Sequence, residues 1–167
     1  VARGAEILAE MCGYGNTCDA HHVTAPRTDG LTQAAAIRQA LDEAGYDSDD
    51  ILYINAHGTG TALNDVSETA AFKIALGEDA YKAHISSTKG STGHLLGAAG
   101  AAEAVAAILA LRDGIVPPTA NLDETDPECD LDYTPNRAVK ADLTIAISDS
   151  LGFGGHNGCV AFRKYNN

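Results

Sequence analysis

The sequence predicts an α/β layered fold: a mixed, mainly parallel five-stranded sheet with helices on its faces. Three observations carry this. Short apolar runs of strand length alternate with longer segments of helical period, which is the order of a layered α/β structure. Glycines stop the helical segments at Gly45, Gly77 and Gly114, where a left-handed cap is needed. Two apolar runs close the chain without a helix between them.

Taken in order, Ala5 to Met11 is a short β-prone run, and Gly13-Tyr14-Gly15 marks a bend or bulge. Asp19 to Gly30 is a loop holding two adjacent histidines, followed by a helix from Leu31 to Ala44. Ile51 to Asn55 is a buried strand leading straight into Ala56-His57-Gly58-Thr59-Gly60-Thr61. Asn64 is placed to cap a helix over Asp65 to Leu76. His84 to Ser87 is the next strand, and it enters the loop Thr88-Lys89-Gly90-Ser91-Thr92-Gly93-His94. A helix from Leu95 to Leu111, apolar on every side, reads as buried. Pro117-Pro118 prevents its restart, and Ala120 to Arg137 is acidic and turn-rich. Leu143 to Ser148 and Gly158 to Arg163 are strands joined through Leu151-Gly152-Phe153-Gly154-Gly155-His156-Asn157. The three early strands are expected to run parallel through right-handed crossovers, with the last two as a hairpin at one edge.

The chain has 167 residues, which suits a single domain over residues 1–167 with a real core. Its net charge of −12 argues against nucleic acid and anionic lipid as partners. Cys12, Cys18, Cys129 and Cys159 show no zinc or C-x-x-C spacing and fit a reducing, cytoplasmic setting. The acidic run Asp123 to Asp132 lacks the glycine and terminal glutamate of a calcium loop, so it reads as solvated. The glycine loops match neither phosphate-cradling pattern.

In such sheets functional loops gather at the carboxyl ends of parallel strands. His57 and His94 stand at two of these ends and Phe153 follows the penultimate strand, so one shared site is expected. Neutral imidazoles, kept neutral by burial, can hold a developing oxyanion. Metal binding would need a third ligand, and neither H-x-x-x-H nor H-E-x-x-H occurs. Thr59 and Thr61 are equally readable as turn hydroxyls or as donors to an amide-bearing ligand. Phe153 between glycines reads either as a core anchor or as a movable gate. Glu103, the only charge in its helix, demands a partner, and Lys89 is the nearest plausible one.

N-A-H-G-T-G-T (55–61), N-D-x-x-E-T (64–69), S-S-T-K-x-x-x-G-H-x-x-G-A-A-G (86–100), P-P-T-x-N-L (117–122) and G-F-G-G-H-N (152–157) occur in this order. Together they resemble the C-terminal half of a beta-ketoacyl-[acyl-carrier-protein] synthase, nearest to the synthase II type. The resemblance covers essentially the whole chain. It implies a thiolase-like fold, of which this chain supplies the second half. It implies a decarboxylative Claisen condensation of malonyl-carrier protein with an acyl thioester in fatty-acid elongation. On this resemblance His57 and His94 bind the malonyl thioester carbonyl, Lys89 supports His94, and Glu103 pairs with Lys89. Thr59 and Thr61 bond the phosphopantetheine arm carried by the substrate. Phe153 gates the acyl pocket, with backbone N–H groups of its loop at the oxyanion. Thr24 and Gly154 join the substrate-binding set, and Asp19, His22 and Thr24 match a mobile loop at the entrance.

No dedicated cofactor is implied, though a Na+ or K+ site near Asn55, Glu103 and Ser148 is. The implied partners are acyl carrier protein, the N-terminal nucleophile half and, in the complete enzyme, a second copy. The four cysteines fall outside the family's nucleophile motif, so the chain alone is expected to be inactive in condensation. Two alternatives share these motifs: a polyketide ketosynthase subunit, and a non-catalytic dimer partner of the chain-length-factor kind.

Overall fold

The computed structural model describes residues 2–165. Its main sheet is built from β1 (Glu10–Cys18), β2 (Leu52–Asn55), β3 (His84–Ser86), β6 (Ile145–Gly152) and β7 (His156–Arg163), in the spatial order β1-β7-β6-β2-β3. A two-stranded ribbon pairs β4 (Ile115–Val116) with β5 (Val139–Lys140). The helices are α1 (Leu31–Glu43), α2 (Ala62–Leu76), a single turn α3 (Lys89–Thr92) and α4 (Ala99–Asp113).

The sheet is mixed and five-stranded, as expected, but its pairing differs in two ways. β2 pairs parallel with both β3 and β6, whereas β1 runs antiparallel to β7. The β6–β7 hairpin is therefore interior to the sheet, not at an edge. The reason lies in burial. Ile145, Ala146 and Ile147 are all fully buried, so β6 is covered on both faces and needs a neighbour on each side. β7 turns back beside it, and β1 fills the edge that β7 leaves open.

β1 also starts later than Ala5 and runs through Gly13-Tyr14-Gly15, with a register shift between Met11 and Gly13. These glycines admit a helix and do not end the strand. A Cβ on Gly13 would lie 2.0 Å from the Ala40 carbonyl oxygen, and one on Gly15 would lie 1.8 Å from that of Ala36. α1 thus packs its backbone directly onto β1.

Two cores follow from the alternation of β-strand side chains. Leu52, Ile54, Ile145 and Ile147 face α1 and α2 and pack with Ile37, Leu41 and Phe72. Tyr53 and Ala146 face α4 and pack with Ala107, Leu111 and Val116. α2 begins at Ala62, not Asp65, and Asn64 lies buried within its first turn instead of capping it. α4 begins at Ala99, because positive φ at Leu96 breaks the first turn of the expected helix and leaves a 3-10 turn over Leu96–Ala98 in its place. It is also buried on one face only: Val105 is 56% and Leu109 36% exposed.

Candidate active site

β2, β3 and β6 deliver their carboxyl ends to one rim of the sheet. A cleft of about 1500 Å³ opens there, lined by His57, Thr59, Thr61, Lys89, His94 and Phe153, with Thr24 at its mouth. The parallel strands explain the convergence. Asn55 and Ser86 lie side by side in the β2–β3 register, so the loops that follow them leave together. They are also stitched: the Ser87 hydroxyl donates to the Gly58 carbonyl at 2.9 Å. A Cβ on Gly58 would meet the Ser87 Cβ at 2.5 Å, so this contact requires glycine.

The rings of His57 and His94 meet edge to face, 5.4 Å between centroids with an interplanar angle of 87°. His57 is buried, and burial, reinforced by the Lys89 ammonium and by His94, pushes its pKa down to about 3. It is therefore a neutral imidazole at any working pH. His94 is exposed to the cleft, contrary to the expectation that both rings are buried, because the chain turns out at Gly93 before α4 begins. Its Nδ1 accepts the Leu96 N–H at 3.2 Å, which leaves Nε2 to carry the proton. Each ring can then offer one N–H towards the cleft.

Two polar clusters support this pair, one on each face of the sheet. On the α4 side Lys89 and Glu103 form a buried ion pair, with side chains 5% and 4% exposed. The Ser150 hydroxyl donates to the other Glu103 oxygen at 3.5 Å. Lys89 acts on His57 through its charge, and the polar contact of His94 is with Leu96. On the α1–α2 side Glu68 accepts the His57 N–H at 2.6 Å and the Gly58 N–H at 2.8 Å. The Asn64 amide donates to it as well, at 3.3 Å. The sequence presents Glu68 only as part of the N-D-x-x-E-T motif; the signal that points to it is a carboxylate between Ser67 and Thr69 on the helix's buried side.

The remaining residues are placed as follows. Thr59 and Thr61 are exposed in the cleft, their hydroxyls 3.0 Å apart. Phe153 stands at the tip of the β6–β7 hairpin, 79% exposed, so it is no core anchor. The Gly154 N–H donates to the Val23 carbonyl at 2.7 Å, which ties this tip to the loop that carries Thr24. That loop hangs on Asp19, a residue whose role is larger than its sequence suggested. Its carboxyl accepts from the Thr32 hydroxyl, from the Arg27 N–H at 2.9 Å and from the Asn157 amide at 2.8 Å. Burial pushes the Asp19 pKa up, but the hydrogen bonds from Thr32, Asn157 and Arg27 outweigh it and hold the carboxyl below its ordinary value. His22 Nδ1 accepts the N–H groups of Thr24 and Ala25 within the same loop.

Asn55 and Ser148 are register partners on the α4 side, and Asn55 Oδ1 is buried without a donor. With the Glu103 carboxylate on the same face, an unsatisfied carbonyl oxygen of this kind fits a small hard cation. Among the described residues no cluster of three His, Cys, Asp or Glu side chains could hold a metal ion. Burial raises the thiol pKa of Cys12, Cys129 and Cys159, so none of these is a thiolate poised for attack. Among the described residues no helix is long and apolar enough to cross a membrane.

A mixed sheet with three strand ends converging on a histidine pair and a glycine-flanked phenylalanine belongs to the thiolase-like class of α/β folds. Residues 8–123 match the C-terminal domain of beta-ketoacyl synthases, and the chain belongs to that family. It is 53% identical over 165 residues to the 3-oxoacyl-[acyl-carrier-protein] synthase 2 of Synechocystis sp., which covers 99% of this chain and 40% of that protein. It is 49% identical over 164 residues to the enzyme of the same name from Staphylococcus aureus, covering 98% of this chain and 40% of that protein. Among solved structures, a type II polyketide ketosynthase bound to its acyl-carrier protein superposes with a TM-score of 0.95 at 41% identity, over 99% of this chain and 40% of that one. The ishigamide ketosynthase/chain length factor gives 0.92 at 45% identity, with the same coverage. The chain thus spans 40% of the length of the proteins it matches.

Proposed function

We propose that this chain is the two-histidine half of a 3-oxoacyl-[acyl-carrier-protein] synthase, an acyltransferase of fatty-acid elongation in the cytoplasm. The observation that carries the reading is the edge-to-face His57–His94 pair at adjoining strand ends, with His57 held neutral by burial. In the decarboxylation step the bond between the malonyl carboxylate and its methylene carbon breaks and CO2 leaves. The electron pair flows into the thioester carbonyl, whose oxygen becomes an enolate held by the two imidazole N–H groups. Neutral donors suit this step, because they stabilise charge only where it develops and do not trap the malonyl carboxylate in the ground state. The enolate carbon then attacks an acyl thioester on a cysteine of the nucleophile half, and the thiolate leaves.

Thr59 and Thr61 bind the phosphopantetheine arm of the acyl carrier protein, Thr24 and Gly154 border its path, and Phe153 gates the acyl pocket. Burial keeps His57 uncharged with help from the Lys89 ammonium, while Glu103 keeps Lys89 in place. Asn55, Glu103 and Ser148 would hold a Na+ or K+ ion, which would supply fixed positive charge beneath the site. The complete enzyme pairs the nucleophile half with this one and forms a homodimer.

A second reading, a type II polyketide ketosynthase subunit, draws on the similarity to polyketide ketosynthase structures. The higher identity to synthase 2 proteins favours fatty-acid elongation. The test is malonyl-carrier-protein decarboxylation and condensation by this chain combined with its nucleophile half. Activity is expected, with saturated acyl thioesters extended, and His57→Ala should lower decarboxylation about a hundredfold or more. Unchanged decarboxylation in that variant would refute the assignment of His57, and extension of poly-β-keto thioesters alone would favour the second reading. Incubated by itself, the chain should condense nothing.

A further inference from the structure

We propose that Asp149 is a positioning residue: it shares one proton with Glu68 and, through Glu68, fixes the His57–Gly58 turn. As a role in catalysis this rests on the function proposed above, but the shared proton itself does not. β6 points Ser148 and Ser150 towards α4 and Asp149 the other way, into the contact between α1 and α2. There Asp149 is fully buried and Glu68 is 2% exposed. The β2–β6 register, carried one residue past Asn55 and Ser148, sets Asp149 beside the turn whose N–H groups Glu68 accepts, so that the charge of Asp149 bears on Glu68. Two ionised carboxylates buried this close would repel at high cost, and a proton on one, donated to the other, removes that cost.

The hydrogen bonds say which one. Both Glu68 oxygens already accept N–H donors, from His57, Gly58 and Asn64. Asp149 Oδ2 accepts the Gln33 amide at 2.5 Å, but Asp149 Oδ1 is buried and receives no donor. A proton on Oδ1, donated to Glu68, satisfies every one of these atoms. Glu68 then remains the acceptor that the two backbone N–H groups require.

The charges around the pair do not remove the need for this proton. Burial raises both carboxyls, and the charge of Asp149 raises Glu68 further. Asp65 on α2 adds further negative charge near Glu68. α1 presents only the uncharged Gln33 amide. β7 presents the Cys159 thiol, itself raised by burial. The Tyr133 hydroxyl, whose pKa is raised, lies on the far side of Glu68. The nearest ammonium, Lys89, is already paired with Glu103 across the sheet. The consequence is mechanical. Asp149 begins the end of β6 that carries Phe153, and Glu68 clasps the turn after β2 that carries His57. One proton therefore ties two of the three site-forming strand ends together.

The experiment uses this chain assembled with its nucleophile half, and two of its readouts need no catalysis. Infrared spectra with 13C-labelled aspartate should show the carbonyl stretch of a buried, un-ionised aspartic acid at pH 6. That band should disappear in Asp149→Asn and be lost in the unsubstituted protein at strongly alkaline pH. Hydrogen exchange at the His57 and Gly58 amides should accelerate roughly tenfold or more in Asp149→Leu. Asp149→Asn, which can still donate to Glu68 and accept from Gln33, should keep it slow. The third readout is decarboxylation: Asp149→Leu should lower kcat with KM nearly unchanged, and Asn should restore most of it. Absence of the band, its persistence in Asp149→Asn, or unchanged exchange in Asp149→Leu would each overturn the proposal. If Asp149→Leu does not fold, the pair of predictions for Asp149→Asn still decides it. If the assembled protein cannot decarboxylate at all, the proposed function fails while the band and the exchange rates still decide the shared proton.

Discussion

Single side chains around the cleft set how this protein responds to pH. Burial raises the carboxyls of Glu68 and Asp149 above their ordinary values of 4.5 and 3.8. Groups raised in this way bind protons more tightly folded than unfolded, so their contribution to stability is full below about pH 4 and is lost as pH rises towards 8. His57 acts in the opposite sense. Its value falls from 6.5 to about 3, so stability is gained as pH rises through that interval. The two effects oppose one another in mild acid, and above about pH 6.5 only the carboxyl effect remains. Thermal midpoints should therefore fall between about pH 6.5 and 8.5, and Asp149→Asn should flatten the decline. A midpoint that rises across this window would contradict the shared proton. The Lys89–Glu103 pair makes a second prediction. Removing either partner leaves a buried charge uncompensated, so Lys89→Ala and Glu103→Ala should each cost about 3–5 kcal/mol by chemical denaturation. The double variant should cost clearly less than their sum. The need of Glu103 for a partner was legible, because a lone carboxylate in an alanine-rich helix has nowhere else to go. Asp149 was not: a strand-end aspartate looks solvated until the helices that cover it are known.

Strands and helices were legible as segments and less so as partners. α1 was readable within a residue or two, because its apolar spacing and Gly45 stop are local signals. The direction of β1 was not, because antiparallel pairing with β7 joins residues about 150 positions apart. Gly13 and Gly15 show how the same letter misleads. Read locally they announce a bend, yet they are the floor on which α1 rests. Gly15→Ala would drive a methyl into the Ala36 carbonyl and should cost about 2–3 kcal/mol or more, as overpacking against backbone cannot relax through a rotamer change. A denaturation midpoint equal to that of the parent would show that α1 can withdraw from β1. α4 was misread for a related reason. Its all-round apolarity predicts burial within this chain, whereas Val105 and Leu109 face outwards.

That outward face matters for the molecule as an assembly. The exposed side of α4 runs from the His94 loop and is apolar, which suits continuation of the core across a second half-fold. Val105→Arg should leave the separate chain's stability within about 0.5 kcal/mol, as for most exposed positions. The same substitution should abolish assembly with the nucleophile half, read by native mass or sedimentation. Assembly unaffected by the arginine would move the contact elsewhere on the chain. The shared cleft was legible from the order of motifs alone, since parallel strand ends must open on one rim. The exposure of His94 was not, because it depends on a turn at Gly93 that no periodicity announces.

The two histidines hang from strands of unequal standing. His57 follows β2, which is paired on both sides, while His94 follows β3, three residues long and paired only with β2. Edge strands open at lower free energy than interior ones. As the protein warms, the two arms of its candidate site should therefore come apart in sequence. The His94 arm loosens while the His57 arm is still folded, leaving a partly disassembled state that holds one proton donor of the two. Amide exchange at His84–Ser86 should outpace that at Leu52–Asn55.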